Sequence, residues 1–364
     1  MRILILAYSD FNSDPRVKRQ IKALHENEII TCGFNKECNY RIYKEPKPDI
    51  WRKVKRFFFL ISGQYEKWYW DDYKKSLAKE LSSLPYDVII ANDIPTLPLA
   101  LRVKNHSGGK VYFDAHEYHP KEWENRLKWR LLYQRWVKYM CKKYIPMADL
   151  FSTVSEGIAE AYKKFTGKKP VVITNASEYE ELHPSEPSGQ VKLIHHGLAT
   201  PHRCIELMID VMQYLDGNFV LYLMLTYLPE DKGYFEKLKS MASDQVRFLE
   251  PVPLGQICET INKFDIGIFL LKGDNFNYLH ALPNKLFEFI QARLAVAVSP
   301  NPEMARIVEQ YSLGAVAKDY TPASMADAIK KVAAQLKQFK QNADAAAHKT
   351  SAENNYQFMR EFIR

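Results

Sequence analysis

The feature that most constrains how this chain folds is an apolar run over residues 265–271. A polar loop follows it, then the segment His280-Ala281-Leu282-Pro283-Asn284-Lys285-Leu286-Phe287-Glu288, then a second apolar run over residues 294–299. Runs of that length without alternation suit strands buried on both faces of a parallel sheet, and the stretch between them has room for the crossover helix that parallel strands require. Pro283 fits the opening of that helix, where its missing N–H would have no intrahelical partner. The helix N-terminus then lies at the carboxyl edge of the sheet, where open α/β sheets take their ligands.

On such a helix Lys285 and Glu288 lie about 60° apart, with Leu286, Phe287 and Ile290 on the opposite arc. A cation beside free backbone N–H groups suits a phosphate, and a carboxylate about 5 Å further along can accept hydrogen bonds from a ribose diol. Lys and Glu one turn apart are equally the makings of a solvated helix face. A second strand, loop and helix run from residues 191–196 through Gly197 to Arg203 and a helical pattern at Ile205, Met208, Ile209 and Met212. At a helix start Arg203 opposes the helix dipole but can grip a diphosphate with two N–H groups.

The same alternation begins at the N-terminus, where an apolar strand over residues 2–8 leads through Asp14 and Pro15 into a helical pattern. Asp14 can cap that helix, with Pro15 at its first position. The loop between them has no glycine, so neither the dinucleotide fingerprint nor the Lys-containing phosphate loop is present, and an NAD-binding domain is not expected. Runs over 86–91 and 110–115 read as further strands, ending in Asn92-Asp93 and His116-Glu117-Tyr118-His119. Asp114, His116, Glu117 and His119 lack the spacing of a zinc-protease helix, and no metal is expected. Residues 123–144 and 321–339 each read as one helix, and an aromatic helix ends the chain.

Pro283-Asn284-Lys285-Leu286-Phe287-Glu288-Phe289, followed by Ala292-Arg293-Leu294-Ala295-Val296, resembles the donor-binding segment of GT-B glycosyltransferases of the retaining GT4 type. The resemblance spans most of residues 1–335 and is strongest over 285–298. In that family the segment carries two glutamates with seven residues between them. Glu288 matches the second, which holds the ribose, while His280 stands at the first, near the transferred sugar. Gly197, Leu198 and Arg203 match a Gly-Arg-Leu loop and a basic-Gly pair, although the loop arginine is missing and Cys204 follows Arg203. Arg203 and Lys285 then form the diphosphate pair, with Gly197 and Asn284 beside them. His116 matches a histidine beside the donor sugar, against the alternative of a loop histidine without a catalytic role. The Asp14-Pro15-Arg16-Val17 loop, with Asp93, matches the side that faces the acceptor.

What the resemblance implies is an α/β protein of the GT-B class, with two Rossmann-like α/β/α domains facing a central cleft. The expected boundaries are 1–174 for the acceptor side, 175–190 for a linker, 191–340 for the nucleotide-sugar domain and 341–364 for a helix returning to the first domain. The implied reaction is metal-independent transfer of a sugar, with retention, from a nucleoside diphosphate donor (UDP or GDP) to a hydroxyl of a glycan or lipid-linked acceptor, as in bacterial surface polysaccharide synthesis. No separate cofactor is implied. A GT-B sugar-nucleotide epimerase, or a catalytically silent GT-B partner in membrane assembly, would share much of this sequence.

The net charge of +8 is local: residues 51–79 hold eight Lys/Arg against three acidic residues, and 121–144 hold eight against two. In the first segment Trp51, Arg52, Lys53, Lys55, Arg56, Phe57 and Phe58 combine cations that attract anionic headgroups with rings that favour the membrane interface. Trp68 and Trp70 extend the same pattern. Helices packed in the domain with solvated Lys/Arg, or a surface for single-stranded nucleic acid, would use similar residues; the expectation carried forward is an anionic membrane surface and no nucleic acid. Five cysteines without metal spacing suit free thiols in a reducing compartment. The N-terminal apolar run is too short for a signal peptide, and the longest apolar runs fall far below the ~20 residues that span a bilayer. A cytoplasmic protein, peripheral on the inner face of the cell membrane, is expected.

Overall fold

A computed structural model describes residues 1–11, 14–34, 36–41, 50–187 and 189–364, apart from the side chains of Arg41 and Arg52. The membrane-facing role expected of Arg52 therefore lies outside the described residues. The chain forms two compact units, one of residues 1–174, 275–277 and 355–364, the other of residues 175–274 and 278–354.

The first unit is built on seven parallel strands: β1 (Arg2–Leu6), β2 (Glu28–Gly33), β3 (Tyr40–Arg41), β4 (Val88–Asn92), β5 (Lys110–Ala115), β6 (Leu150–Thr153) and β7 (Val171–Val172). Their order is β3-β2-β1-β4-β5-β6-β7, so the winding reverses between β1 and β4. Every residue of β4 is buried, as an unbroken Val-Ile-Ile run with helices on both faces requires. The second unit has six parallel strands: β8 (Val191–Leu198), β9 (Phe219–Thr226), β10 (Val246–Leu249), β11 (Ile266–Phe269), β12 (Ala295–Val298) and β13 (Gly314–Val316). Their order is β10-β9-β8-β11-β12-β13, reversing between β8 and β11. Both units are Rossmann-like, as the α/β reading expected. Reversal points are where loops diverge at the carboxyl edge and leave a crevice.

Two helices depart from the sequence reading. Residues 123–144 are not one helix: a 3-10 turn at His119–Lys121 precedes helices Leu127–Leu132 and Gln134–Tyr144, which meet at Tyr133. The break leaves Leu127 and Leu131 exposed while Trp136, Val137, Met140 and Tyr144 pack inward. Residues 321–339 likewise divide into Pro322–Ala334 and Leu336–Ala347 at Gln335, whose φ of −130° lies outside the helical region. The last helix is Ala352–Ile363, and within the first unit its Phe362 ring meets Tyr112 edge-on at 5.5 Å.

The basic aromatic segment divides into an inner and an outer part. In helix Ile50–Ile61, Leu60 is buried, whereas Ile50, Trp51, Val54, Phe57, Phe58 and Ile61 are all at least half exposed. Their spacing is that of one helical face. Trp68, expected among the membrane rings, instead packs against Trp136 at 4.4 Å, and the Arg56 guanidinium lies 5.2 Å over it. Trp70 sits edge-on to Tyr69 beneath Arg102. Both rings belong to the fold because aromatic area is worth more against other rings than in water.

Gly267 in β11 shows how the helix Asn284–Gln291 is seated. A Cβ there would lie 2.3 Å from Cγ of the buried Phe289 ring. Gly267→Ala is expected to destabilise the protein by about 1–3 kcal/mol through overpacking, read as a lower denaturant midpoint with unchanged slope.

Candidate functional site

At the carboxyl end of β8, Gly197 adopts φ +126°, a conformation that L side chains rarely take. A Cβ at this position would lie 2.6 Å from Lys285 Nζ and 3.6 Å from Arg203 Nη1, so glycine leaves the room in which the two cations converge. Lys285 comes from the first turn of helix Asn284–Gln291, which Asn284 opens and Pro283 caps. Arg203 closes a 3-10 turn, Pro201–Arg203, rather than opening a helix; the following helix begins only at Glu206. Cys204 stands in the left-handed region at φ +48°, where a glycine would cost nothing.

Both cations are held in an environment that disfavours charge. Burial, then the charge of Arg203, lower the Lys285 ammonium well below its usual range against the opposite pull of Glu288. Burial lowers Arg203 too, with Tyr278 opposing. Glu288 is buried one turn beyond Lys285, and His196 Nε2 lies 3.3 Å from its Oε2. Burial and the two cations push His196 down to about 3, so a neutral imidazole stands behind this carboxylate. His280 precedes the helix, with Nδ1 3.5 Å from Oε1 of Glu303.

In the first unit a polar network fills the reversal point. Asp14 caps helix Pro15–Ala23 by accepting from the Arg16 N–H, and accepts from Arg16 Nε at 3.0 Å. Arg16 Nη1 donates to Asp93 Oδ2 at 3.1 Å. Asp93 follows β4 at φ +65°, and its other oxygen lies 3.2 Å from His119 Nε2. Burial alone would raise the Asp93 carboxyl, but its bond to His119 and the charge of Arg16 hold it well below the usual range. Burial opposes charge on His119 as well, yet Asp93 and Glu122 push it up to about 10. His116 Nε2 lies 2.9 Å from Asp114 Oδ2, while its buried Nδ1 finds no hydrogen-bond partner among the described residues. Behind them Gln20 donates to both Asn92 and Asp114 at 2.8 Å.

Residues 17–180 match the model of the family described as Glycosyltransferase Family 4. Among solved structures the chain is similar to Anabaena HepE in complex with UDP and glucose, at 14% identity and a TM-score of 0.73, covering 99% of this chain and 98% of that one. It is also similar to sucrose-phosphate synthase from Thermosynechococcus elongatus, at 13% identity and a TM-score of 0.74, covering 99% and 97%. The chain has the GT-B fold and resembles the GT4 glycosyltransferases. No curated protein matches it in sequence.

Within this GT-B chain the residues expected from sequence form two groups. Gly197, Arg203, Lys285 and Glu288 converge in the second unit, with Asn284 and His280 at the mouth of the same helix. Asp14, Arg16 and Asp93 form one bonded chain in the first, and the His116 N–H donates to Asp93 at 3.3 Å. Among the described residues no group of His, Cys, Asp and Glu could hold a metal ion. Sequence reasoning missed His196, Glu303, Gln20 and the pairing of His119 with Asp93. His196 left a signal, since two adjacent histidines ending an apolar strand are costly unless they are used.

The Asp93–His119 pair has a defined pH window. A raised histidine stabilises fully below its unfolded value of about 6.5 and stops doing so as pH climbs towards 10, whereas a lowered aspartate stabilises above about 4. The stability difference between wild type and His119→Gln should therefore be largest near pH 5–6 and shrink between pH 7 and 10, as read from urea unfolding at each pH.

Proposed function

We propose that this protein is a retaining glycosyltransferase that moves a sugar from a UDP-sugar to a hydroxyl of a glycan or lipid-linked acceptor, in the synthesis of a bacterial surface polysaccharide. The observation that carries the reading is the convergence of Arg203 and Lys285 over Gly197, with Glu288 one turn further on. Two buried cations that repel each other favour a dianionic group, and the diphosphate of a nucleotide sugar supplies one. As the glycosidic bond breaks, negative charge grows on the departing diphosphate, and cations already in place stabilise it without a metal and without reorganising. Glu288, backed by neutral His196, accepts the ribose hydroxyls. UDP is the nucleotide of choice because HepE, which shares the fold, holds UDP with glucose. His116, with its ring oriented by Asp114, contributes to catalysis at the donor sugar, and Asp14, Arg16 and Asp93 serve the acceptor side.

Arg203→Ala and Lys285→Ala should each weaken UDP binding by about 1.5–3 kcal/mol, the range for a hydrogen bond to a charged group, with folding nearly unaffected. Calorimetric affinities within twofold of wild type in both variants would place the diphosphate elsewhere. Activity is tested by incubating the protein with UDP-sugars and candidate acceptors. UDP release coupled to a new glycoside supports transfer, and an epimerised nucleotide sugar without UDP release rejects it.

The exposed face of helix Ile50–Ile61 supports a second part of the reading, docking on the cytoplasmic face of an anionic membrane. Trp51, Phe57 and Phe58 offer apolar area, and the exposed Lys53 and Lys55 flank them. No described helix is long and apolar enough to cross a membrane. Basic residues near an anionic surface contribute about 1 kcal/mol each, so Lys53 and Lys55 alone hold nothing and burial of the rings must add the rest. Replacing Trp51, Phe57 and Phe58 with Ser should abolish co-sedimentation with phosphatidylserine vesicles at low salt while leaving transfer to a short soluble acceptor unchanged. Equal sedimentation of the two proteins would return this face to another role.

A further inference from the structure

We propose that helix Leu127–Leu132 is a second element that seats the first unit on an anionic lipid surface, with Leu127 and Leu131 entering the bilayer interface and the cations beside them meeting the headgroups. The inference deepens the docking reading of helix Ile50–Ile61 and rests on the same anionic surface, but a different helix carries it.

Helix Leu127–Leu132 has two opposed faces. Trp129 and Leu132 pack against the core of the first unit, and Tyr133 does so at the helix end. Leu127 and Leu131, one turn apart and therefore on one face, are 59% and 65% exposed. Single exposed leucines are ordinary on a protein surface, but these two do not stand singly. At 100° per residue Arg130 and Lys128 lie about 80° to either side of the leucine pair, and both are exposed. Just before the helix, the Arg126 guanidinium lies 4.2 Å over the ring of Trp123, which is exposed as well. An apolar centre with a cation on each side is the arrangement of a helix lying in a membrane interface, where long basic side chains reach the headgroups while the centre is buried.

Helix Ile50–Ile61 repeats the arrangement with different residues. Its exposed row from Ile50 to Ile61 has Lys53 and Lys55, both exposed, about 100° to either side. The two helices come from distant parts of the sequence, yet they meet at one ring. Trp68 lies 5.2 Å beneath the Arg56 guanidinium and edge-on to Tyr133 at 6.3 Å. Charge then chooses the occupant, since residues 50–61 and 126–132 contain no Asp or Glu. A second copy of this chain would bring like charge onto like charge. A bilayer rich in anionic headgroups satisfies the cations and removes the leucines from water in one step.

The test uses the full chain and phosphatidylserine vesicles at low salt. Leu127→Ser/Leu131→Ser should lower vesicle affinity about tenfold or more, because the charge is kept and only the inserted area is lost. Lys128→Ser/Arg130→Ser should also lower it about tenfold and make it less sensitive to salt. Transfer to a short soluble acceptor and the denaturant midpoint should not change in either variant, since all four side chains are exposed. In wild type, amide exchange over residues 126–133 should slow when vesicles are added. Affinity within twofold of wild type in both variants, or exchange there that ignores the vesicles, would overturn the inference and leave the docking of helix Ile50–Ile61 standing. Should the variant lacking Trp51, Phe57 and Phe58 sediment like wild type while Leu127→Ser/Leu131→Ser does not sediment, helix Leu127–Leu132 docks and the reading of the other helix fails. Equal binding to phosphatidylcholine vesicles rejects the anionic surface, and wild-type protein that stays in solution with either vesicle rejects docking by both helices.

Discussion

The second unit depends on the repulsion between Arg203 and Lys285. Each cation reaches the same small space from a different element, one from the turn after β8 and the other from the helix after β11. The space exists because Gly197 has no side chain. Neither cation escapes readily: Lys285 is buried along its stem and Phe289 seats its helix on Gly267, so the unfavourable placement is fixed when the sheet folds. Folding thus fixes the two cations before any ligand arrives, and on the proposed function a site organised in this way gains more from each charge than one assembled by the ligand. The lowered proton affinity of both groups records that cost.

The first unit handles charge in the opposite way. Arg16 is bracketed by Asp14 and Asp93, and His119 by Asp93 and Glu122, so these two cations each have two carboxylates at hydrogen-bond distance. Such pairs resist separation, because removing one partner leaves a buried charge uncompensated. They also account for the backbone at Asp93, where a non-glycine residue in the left-handed region is kept by the bonds it makes. The contrast is one of charge balance: saturated ion pairs hold the loop around His116, while in the second unit the pull of Glu288 on Lys285 is outweighed by burial and by Arg203.

The strands were legible in the sequence wherever they were uniformly apolar, because burial on both faces leaves little choice of residue. β5 falls at the expected residues, while β8 runs two residues past its expected end and carries Gly197. Helix breaks were not legible, since Tyr133 and Gln335 are ordinary helix residues and only packing ends the helices there. Helix Asn284–Gln291 is the sharper case. Lys285 and Glu288 at one-turn spacing describe a solvated face and a phosphate-and-ribose face equally well, and periodicity carries no information on which applies. Burial of both side chains, which depends on β8 lying beside β11, excludes the solvated face. Glu303 was out of reach for a related reason: it meets His280 only because β11 and β12 are neighbours.

The basic aromatic segment shows the same limit from another side. Trp51, Phe57, Phe58, Trp68 and Trp70 are alike as letters, and a turn at residues 62–64 breaks the helical phase between the first three and the last two. The fold then sorts them by what can reach a partner. Glu66, in the short helix Tyr65–Tyr69, accepts hydrogen bonds from Tyr139, Tyr144 and Lys143, and so ties that helix to Gln134–Tyr144. With that anchor in place Trp68 is carried onto Trp136, and Leu60 follows it inward. The remaining face of Ile50–Ile61 is left directed outward by the geometry of its own helix. Apolar rings there gain free energy only from a surface that removes them from water, and the neighbouring lysines make an anionic one the better match.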